Sequence, residues 1–232
     1  MVTTQGKQVS TLSKGYLFVY NVIQTLGWFY IFAVSCLHFM EEKSITSQGL
    51  YPKVEIPLKL FQTAAVFEII HCAIGIVPSS AATTAMQVFS RLCTVWLFTI
   101  PVSQVQNNFS VLLYLLAWCI TEVIRYSFYA CSLLNCLPFF LQWCRYTFFI
   151  ILYPIGVTGE MLTVAAAIPF VKKTEMYSLS LPNQLNVSFS LLYFMYFCLL
   201  VYIPAFLMLY SYMFRQRKKA FGRNTGRSTK HD

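Results

Sequence analysis

Residues 16–37, YLFVYNVIQTLGWFYIFAVSCL, contain no Asp, Glu, Lys or Arg and carry large apolar side chains on every face of a helix. About 20 such residues cross roughly 30 Å of hydrocarbon, and a helix does so because it satisfies its own backbone polar groups. The same reading recurs along the chain. Spans are expected at Tyr16–Leu37, Leu60–Val77, Met86–Val102, Phe109–Ala130, Phe139–Ile168 and Val187–Phe214. The expected fold is therefore all-α, a polytopic integral membrane protein with six transmembrane helices. Breaks are expected where Pro and polar residues gather: Tyr51-Pro52 to Pro57, Pro78-Ser79-Ser80, Gln104 to Asn108, Asn135 to Pro138 and Lys172 to Asn186. A polar arm, residues 1–15, precedes the membrane domain of residues 16–214, and a basic tail, residues 215–232, follows it.

Composition agrees. Of the 232 residues 57% are apolar and 11% charged, against about 25% charged in an ordinary soluble domain. The formal charge of +9 does not indicate nucleic acid, because the excess lies in Arg215-Gln216-Arg217-Lys218-Lys219 and in Arg223, Arg227 and Lys230, a membrane-flanking tail. Met1 to Ser13 lack an apolar stretch followed by a small-residue cleavage site, so the first span is expected to act as its own insertion signal. Eight cysteines without paired spacing and three scattered histidines, His38, His71 and His231, suggest buried thiols and no metal site. Six crossings place both termini on one side. The excess of Lys and Arg assigns that side to the cytosol, with Lys7, Lys14, the tail and the ends bearing Arg91, Arg125 and Arg145. Lys43, Lys53, Lys59, Lys172 and Lys173 fall on the luminal side, as do the sequons at Asn108 and Asn186.

Ionisable groups inside a bilayer cost at least a few kcal/mol each, so each needs a partner, a wet cavity or a function. Glu68, Arg91, Glu122, Arg125, Arg145 and Glu160 are in this position. Glu122 and Arg125 are three apart and can pair on one helix face; Tyr126 and Tyr129 follow them at helical spacing. Gln87 lies four before Arg91, and Glu68 shares a face with His71. Polar contacts that lock helices together account for these sets as well as a function does.

The fifth span reads Leu152-Tyr153-Pro154-Ile155-Gly156-Val157-Thr158-Gly159-Glu160. Pro154 removes a backbone donor and can kink the helix. Gly156 and Gly159 let a neighbouring helix or a substrate approach the backbone. Tyr153 and Glu160 fall on nearly one face, about 10 Å apart along the axis. Spacing alone leaves two readings open: a chemical pair, or an ordinary aromatic and a carboxylate reaching for the luminal interface.

These residues, with Trp118-Cys-Ile-Thr-Glu-Val-Ile-Arg-Tyr-Ser-Phe-Tyr129 upstream, resemble the very-long-chain (3R)-3-hydroxyacyl-CoA dehydratases of the animal type, also called protein-tyrosine-phosphatase-like A proteins. The likeness extends over Phe61 to Ala64, Glu68 to Cys72, Gln87 to Arg91, Trp143 to Tyr146 and Leu181 to Ser188, most of residues 16–219. It implies removal of water from a (3R)-3-hydroxyacyl-CoA to give a trans-2-enoyl-CoA, the third step of each fatty-acid elongation cycle in the endoplasmic reticulum. Acyl-CoA is then the substrate, no cofactor is needed beyond the coenzyme A it carries, and the partners implied are the elongase, ketoacyl-CoA reductase and enoyl-CoA reductase, within membrane lipid. The family's catalytic pair falls on Tyr153 and Glu160, one an acid and one a base; which is which stays open. Gly156, Glu68, Gln87 and Glu122 are expected to support the site.

The second family name suggests a phosphatase loop at Cys72, a cysteine followed by five residues and an arginine. Pro78 stands where the arginine belongs, and proline cannot bind a phosphate bidentately. Arg145 precedes Tyr153 by eight residues, about 12 Å toward the cytosol. Arg91, Arg125 and Arg145 are expected to receive the phosphates of coenzyme A, unless Arg125 serves only Glu122 and the other two reach for lipid headgroups. A non-catalytic adaptor that gathers elongation enzymes is the alternative function. A transporter is disfavoured by the lack of internal repeats. The ending Lys230-His231-Asp232 holds half of a dilysine retrieval signal.

Overall fold

A computed structural model describes residues 10–179 and 188–225, with side chains to residue 222. The sequon at Asn186, most of the Leu181–Ser188 motif, Lys7, and the tail residues Arg227, Lys230 and His231 lie outside the described residues. Within them the protein is helical apart from a single antiparallel bridge between Leu179 and Phe189. The helices are α1 (Thr11–Glu41), α2 (Leu50–Ala64), α3 (Val66–Ala73), α4 (Ala81–Cys93), α5 (Ser103–Gln106), α6 (Phe109–Leu133), α7 (Phe139–Thr147), α8 (Phe149–Thr174) and α9 (Leu191–Thr225); a π-helical stretch, Thr94–Thr99, continues α4.

Among the described residues five helical segments are long and apolar enough to cross a membrane: Thr11–Glu41, Leu50–Ala73, Phe109–Leu133, Phe149–Thr174 and Leu191–Gly222. They overlap the first, second, fourth, fifth and sixth expected spans, but the second begins ten residues earlier than expected, and the fifth begins ten later because Phe139–Thr147 forms the separate helix α7. The expected third span is occupied by α4 and its π-helical continuation, which is interrupted by Arg91 and by the change of helical pitch at Thr94. The π turn is visible in its bonds: Ile100 N–H donates to Val95 and the Thr99 hydroxyl to Thr94, each five residues back.

The break expected at Tyr51 to Pro57 is instead the body of α2. Pro52 sits in the first turn, where its missing N–H has no intrahelical partner to lose, and Pro57 is absorbed further in. The actual discontinuity comes later, at Ala65. There Ala65 and Glu68 donate three residues back, to Gln62 and Ala65, which releases the carbonyls of Phe61 and Ala64. Polar side chains of α1 reach them: Tyr20 donates to Ala64 at 3.1 Å and Gln24 to Phe61 at 3.4 Å. The apparently misplaced Tyr20 and Gln24 of an apolar span thus satisfy the backbone of its neighbour.

α6 is the hub, packed between α1 and α8. It runs antiparallel to α8, and small residues set the approach. A Cβ on Gly159 would lie 2.6 Å from the Tyr114 backbone nitrogen and 2.9 Å from the Ser110 carbonyl oxygen. Gly156, one turn away, faces Ala117 and Trp118 at ordinary contact distance, and Thr163 donates to the Ser110 hydroxyl at 2.9 Å. At the expected luminal end Asn108 caps α6, accepting from Ser110 N–H at 3.0 Å. Asn107 ties the α1–α2 loop through Ser47 and Gly49.

α9 packs along α8 on an aromatic ladder. Tyr153 stacks on Phe206 and Tyr210, with ring centroids 5.4 and 6.1 Å apart, and Phe214 continues the row against Tyr210 and Phe149. Pro154 has no N–H to give the carbonyl of Ile150, and the Tyr210 hydroxyl supplies that donor at 3.0 Å.

Candidate active site

Glu160 lies in the middle of α8 with 5% of its surface exposed. A buried carboxylate must be hydrogen-bonded, and two helices provide the donors: Trp118 Nε1 of α6 at 3.0 Å to one oxygen, and the Tyr202 hydroxyl of α9 at 2.8 Å to the other. The carboxylate is held at both oxygens, not left reaching for an interface. Gly156 and Gly159 make this geometry possible, because they bring α6 close enough for the Trp118 indole to reach across.

Tyr153 is two turns nearer the N-terminal end of α8 on the same side, about 10 Å along the axis. Its ring is fixed by Phe206 and Tyr210, while among the described residues no hydrogen bond engages its hydroxyl. Both groups border α9. One is a clamped carboxylate and the other a positioned phenol with a free O–H, which together provide an acceptor and a donor for a proton.

Beside them runs a buried ionic network. Glu122, 1% exposed, pairs with Arg91 of α4 through one oxygen and with Arg125 through the other at 2.5 Å. Arg125 turns its second edge to Glu68 of α3, with contacts of 2.5 and 2.8 Å, and Tyr126 also donates to Glu68. The two carboxylates and two guanidinium groups balance, which is how a low-dielectric interior tolerates them. Arg91 links the network to the carboxylate site: its guanidinium lies over the Trp118 ring, 5.2 Å from the centroid, and that ring donates to Glu160.

The structure thus brings together Tyr153, Glu160 and Gly156, and separately Glu68, Arg91, Glu122 and Arg125. Gln87 stands apart, exposed on α4; its carbonyl accepts from the Ser90 hydroxyl, and among the described residues its side chain makes no hydrogen bond. Of the three arginines expected to meet phosphate, Arg91 and Arg125 are occupied by carboxylates. Arg145 has none: it donates to the Tyr129 hydroxyl at 2.9 Å and lies 4.7 Å from the ring centroids of Phe128 and Tyr129, and its Nε is unpartnered. Sequence reading missed Tyr202 and gave Trp118 no role. Nothing local marks Tyr202 among 15 tyrosines; only the antiparallel pairing of α8 with α9 selects it.

Cys72 is no phosphatase nucleophile. The loop after it is a helix C-terminus whose N–H groups are already used: Gly75 donates to Cys72, and Ile76 and Val77 to His71. None is left to cradle an anion, and Pro78 holds the arginine position. Among the described residues no cluster of His, Cys, Asp or Glu has the makings of a metal site.

The class these observations define is an all-helical, multi-pass membrane protein with a clamped carboxylate and a phenol on one helix. Comparison with known proteins names the family. Residues 62–223 match the family described as "Protein tyrosine phosphatase-like protein". The chain is 50% identical over 208 residues to the human very-long-chain (3R)-3-hydroxyacyl-CoA dehydratase 2, covering 90% of this chain and 81% of that protein. It is 49% identical over 213 residues to dehydratase 1 of the dog, covering 92% and 85%. Against the plant dehydratase PASTICCINO 2 of Arabidopsis thaliana it is 36% identical over 217 residues, covering 93% and 97%. The chain belongs to this protein-tyrosine-phosphatase-like family of dehydratases. No solved structure matches it.

Proposed function

We propose that Tyr153 and Glu160 are the acid–base pair with which this chain dehydrates (3R)-3-hydroxyacyl-CoA to trans-2-enoyl-CoA. The activity follows from its relatives, which are named as dehydratases and matched over most of their length. The observation that carries the site is the clamped carboxylate of Glu160, two helical turns along the same side of α8 from a Tyr153 hydroxyl left open to a substrate. One group takes the proton from the carbon next to the thioester. The C2–H electrons form the double bond, the C3–O bond breaks, and the other group gives its proton to the hydroxyl, which leaves as water.

The remaining parts fit that reaction. Trp118 and Tyr202 orient Glu160, and the Glu68–Arg125–Glu122–Arg91 network fixes α3, α4 and α6 around them. Arg145, without a carboxylate partner, stands about 12 Å from Tyr153 toward the cytosol and meets the coenzyme A portion. No cofactor takes part beyond the coenzyme A of the substrate. The helical run from Ala81 to Thr99, about 27 Å long, serves as the sixth crossing in this reading; it puts both termini on one side, the cytosol by the excess of Lys and Arg, and the endoplasmic reticulum membrane comes from the resemblance to elongation-cycle dehydratases. There it receives its substrate from a ketoacyl-CoA reductase, passes its product to an enoyl-CoA reductase, and serves a cycle begun by an elongase.

The test is dehydration of a 3-hydroxyacyl-CoA by the purified chain. Tyr153→Phe and Glu160→Gln are each expected to lower kcat by about 10²–10⁴-fold. Near-normal turnover by either variant removes that residue from the pair.

A further inference from the structure

α9 outruns the bilayer. Its 35 residues extend about 52 Å, while about 20 residues suffice to cross. The excess lies at the cytosolic end, where α9 meets α7 and encloses a recess of about 760 Å³ lined by Phe139, Trp143, Phe214, Arg215, Arg217, Lys218 and Phe221. Cations and aromatic rings alternate on its wall. Phe221 rests on Phe139 and on Tyr146, with centroids 6.4 and 6.0 Å apart, and the Arg217 guanidinium lies 5.9 Å from the Phe221 centroid. The Arg217 Nε is buried without a hydrogen-bond partner.

Among the described residues no carboxylate answers these charges. The ion pairs there involve only Lys53, Lys59, Arg91 and Arg125, and the described acidic residues at the cytosolic half, Glu68 and Glu122, are consumed by the arginines of the network. A recess with three unpaired cations and flat rings matches a ligand with phosphates and a purine.

The recess also joins the site. Phe214 on its wall contacts Tyr210, and Tyr210 stacks on Tyr153. From Phe214 to Phe206, which stacks on Tyr153, is about 12 Å along α9, and to Tyr202, which holds Glu160, about 18 Å. An extended pantetheine arm spans about 15 Å from phosphate to sulfur, scaled from the reach of a peptide chain. A thioester whose phosphates sit in the recess therefore places its reacting carbons between Tyr153 and Glu160. Arg145 lies beside this path, its guanidinium 5.9 Å from the centroid of Tyr146, whose ring touches Phe221.

We propose that the α7–α9 recess is the binding site for the phosphorylated nucleotide of the acyl-CoA, with Arg215, Arg217 and Lys218 on its phosphates and Trp143 or Phe221 against its purine. This inference rests on the dehydratase reading for the identity of the ligand, while the phosphate chemistry of the recess is shared with an anionic lipid headgroup.

The experiment uses the purified full chain in nanodiscs of neutral lipid, with Arg215→Gln, Arg217→Gln and Lys218→Gln combined in one variant. Direct binding of free coenzyme A, measured without turnover, is expected to weaken by at least about tenfold, as charge-assisted contacts are lost. KM for a 3-hydroxyacyl-CoA is expected to rise correspondingly, with kcat within about twofold, while kinetics with the pantetheine thioester of the same acyl chain stay unchanged. Equal coenzyme A binding by the variant and the unmodified chain overturns the proposal. So does an equal loss with both thioesters, which points to structural damage. If anionic lipid in the nanodisc abolishes coenzyme A binding by the unmodified chain at any coenzyme A concentration, the recess is a headgroup site and the assignment is overturned. Should the chain bind coenzyme A through these residues yet dehydrate neither thioester, the recess stands and the dehydratase reading fails.

Discussion

Tyr202→Phe is the most informative single change in the carboxylate site, because it removes one oxygen atom and leaves the ring and its packing in place. The Tyr202 hydroxyl donates to Glu160 at 2.8 Å and Trp118 Nε1 to the other oxygen at 3.0 Å. With both donors the carboxylate plane is fixed between α6 and α9. With one, it can rotate about the Trp118 contact. A hydrogen bond to a charged group contributes about 1.5–3 kcal/mol, equivalent to roughly 10- to 150-fold in rate if the bond persists in the transition state. Displacement of a reacting group by about 1 Å costs a similar hundredfold. Both routes give a fall in kcat of tens- to a hundredfold. Because Tyr202 holds Glu160 and not the coenzyme A portion, KM should change by less than about threefold. The assay is steady-state dehydration by purified protein, with the enoyl product followed by absorbance, alongside a thermal midpoint to confirm folding. A kcat within twofold of the unmodified chain, in a folded variant, would refute the claim that the clamp on Glu160 serves the reaction.

Gly159→Ala must push α6 from α8, since its Cβ would meet backbone atoms at 2.6 and 2.9 Å; a destabilisation of about 1–3 kcal/mol is expected, read as a lower thermal midpoint in detergent. Gly156→Ala, whose nearest contact is 3.5 Å, should lower it much less, and equal effects would contradict the packing described. Glu122→Gln leaves Arg91 and Arg125 short of a carboxylate and is expected to cost about 3–5 kcal/mol, measured by denaturant unfolding in micelles. Cys72→Ser should retain full dehydration, because among the described residues the Cys72 thiol has a single polar contact, Thr84 at 3.6 Å, and neither form should release phosphate from phosphotyrosine.

The spans α1, α6, α8 and α9 are legible as apolar runs because a lipid-facing helix needs no amphipathic period. α2 is hidden by Pro52 and Pro57, whose tolerance depends on first-turn position and on neighbours. Within the site, Glu122 and Arg125 disclose their pairing by a three-residue spacing, but Arg91 does not, since its partner lies on another helix. Tyr153 and Glu160 stand out through resemblance and as ionisable groups in an apolar run. Tyr202 and Trp118 are invisible for a physical reason: each looks like an ordinary lipid-facing aromatic until the helix opposite it is known.

The bond from Tyr210 to the Ile150 carbonyl exists because residue 154 is a proline. With alanine there, the carbonyl would regain a partner from its own helix, and the Tyr210 hydroxyl would share an acceptor it now holds alone. Positions 154 and 210 are thus linked across two helices, and drift at one changes what is acceptable at the other. Combining Pro154→Ala with Tyr210→Phe should be gentler than Tyr210→Phe alone, which strands the Ile150 carbonyl, so a backbone defect in one helix becomes a constraint on the inheritance of another.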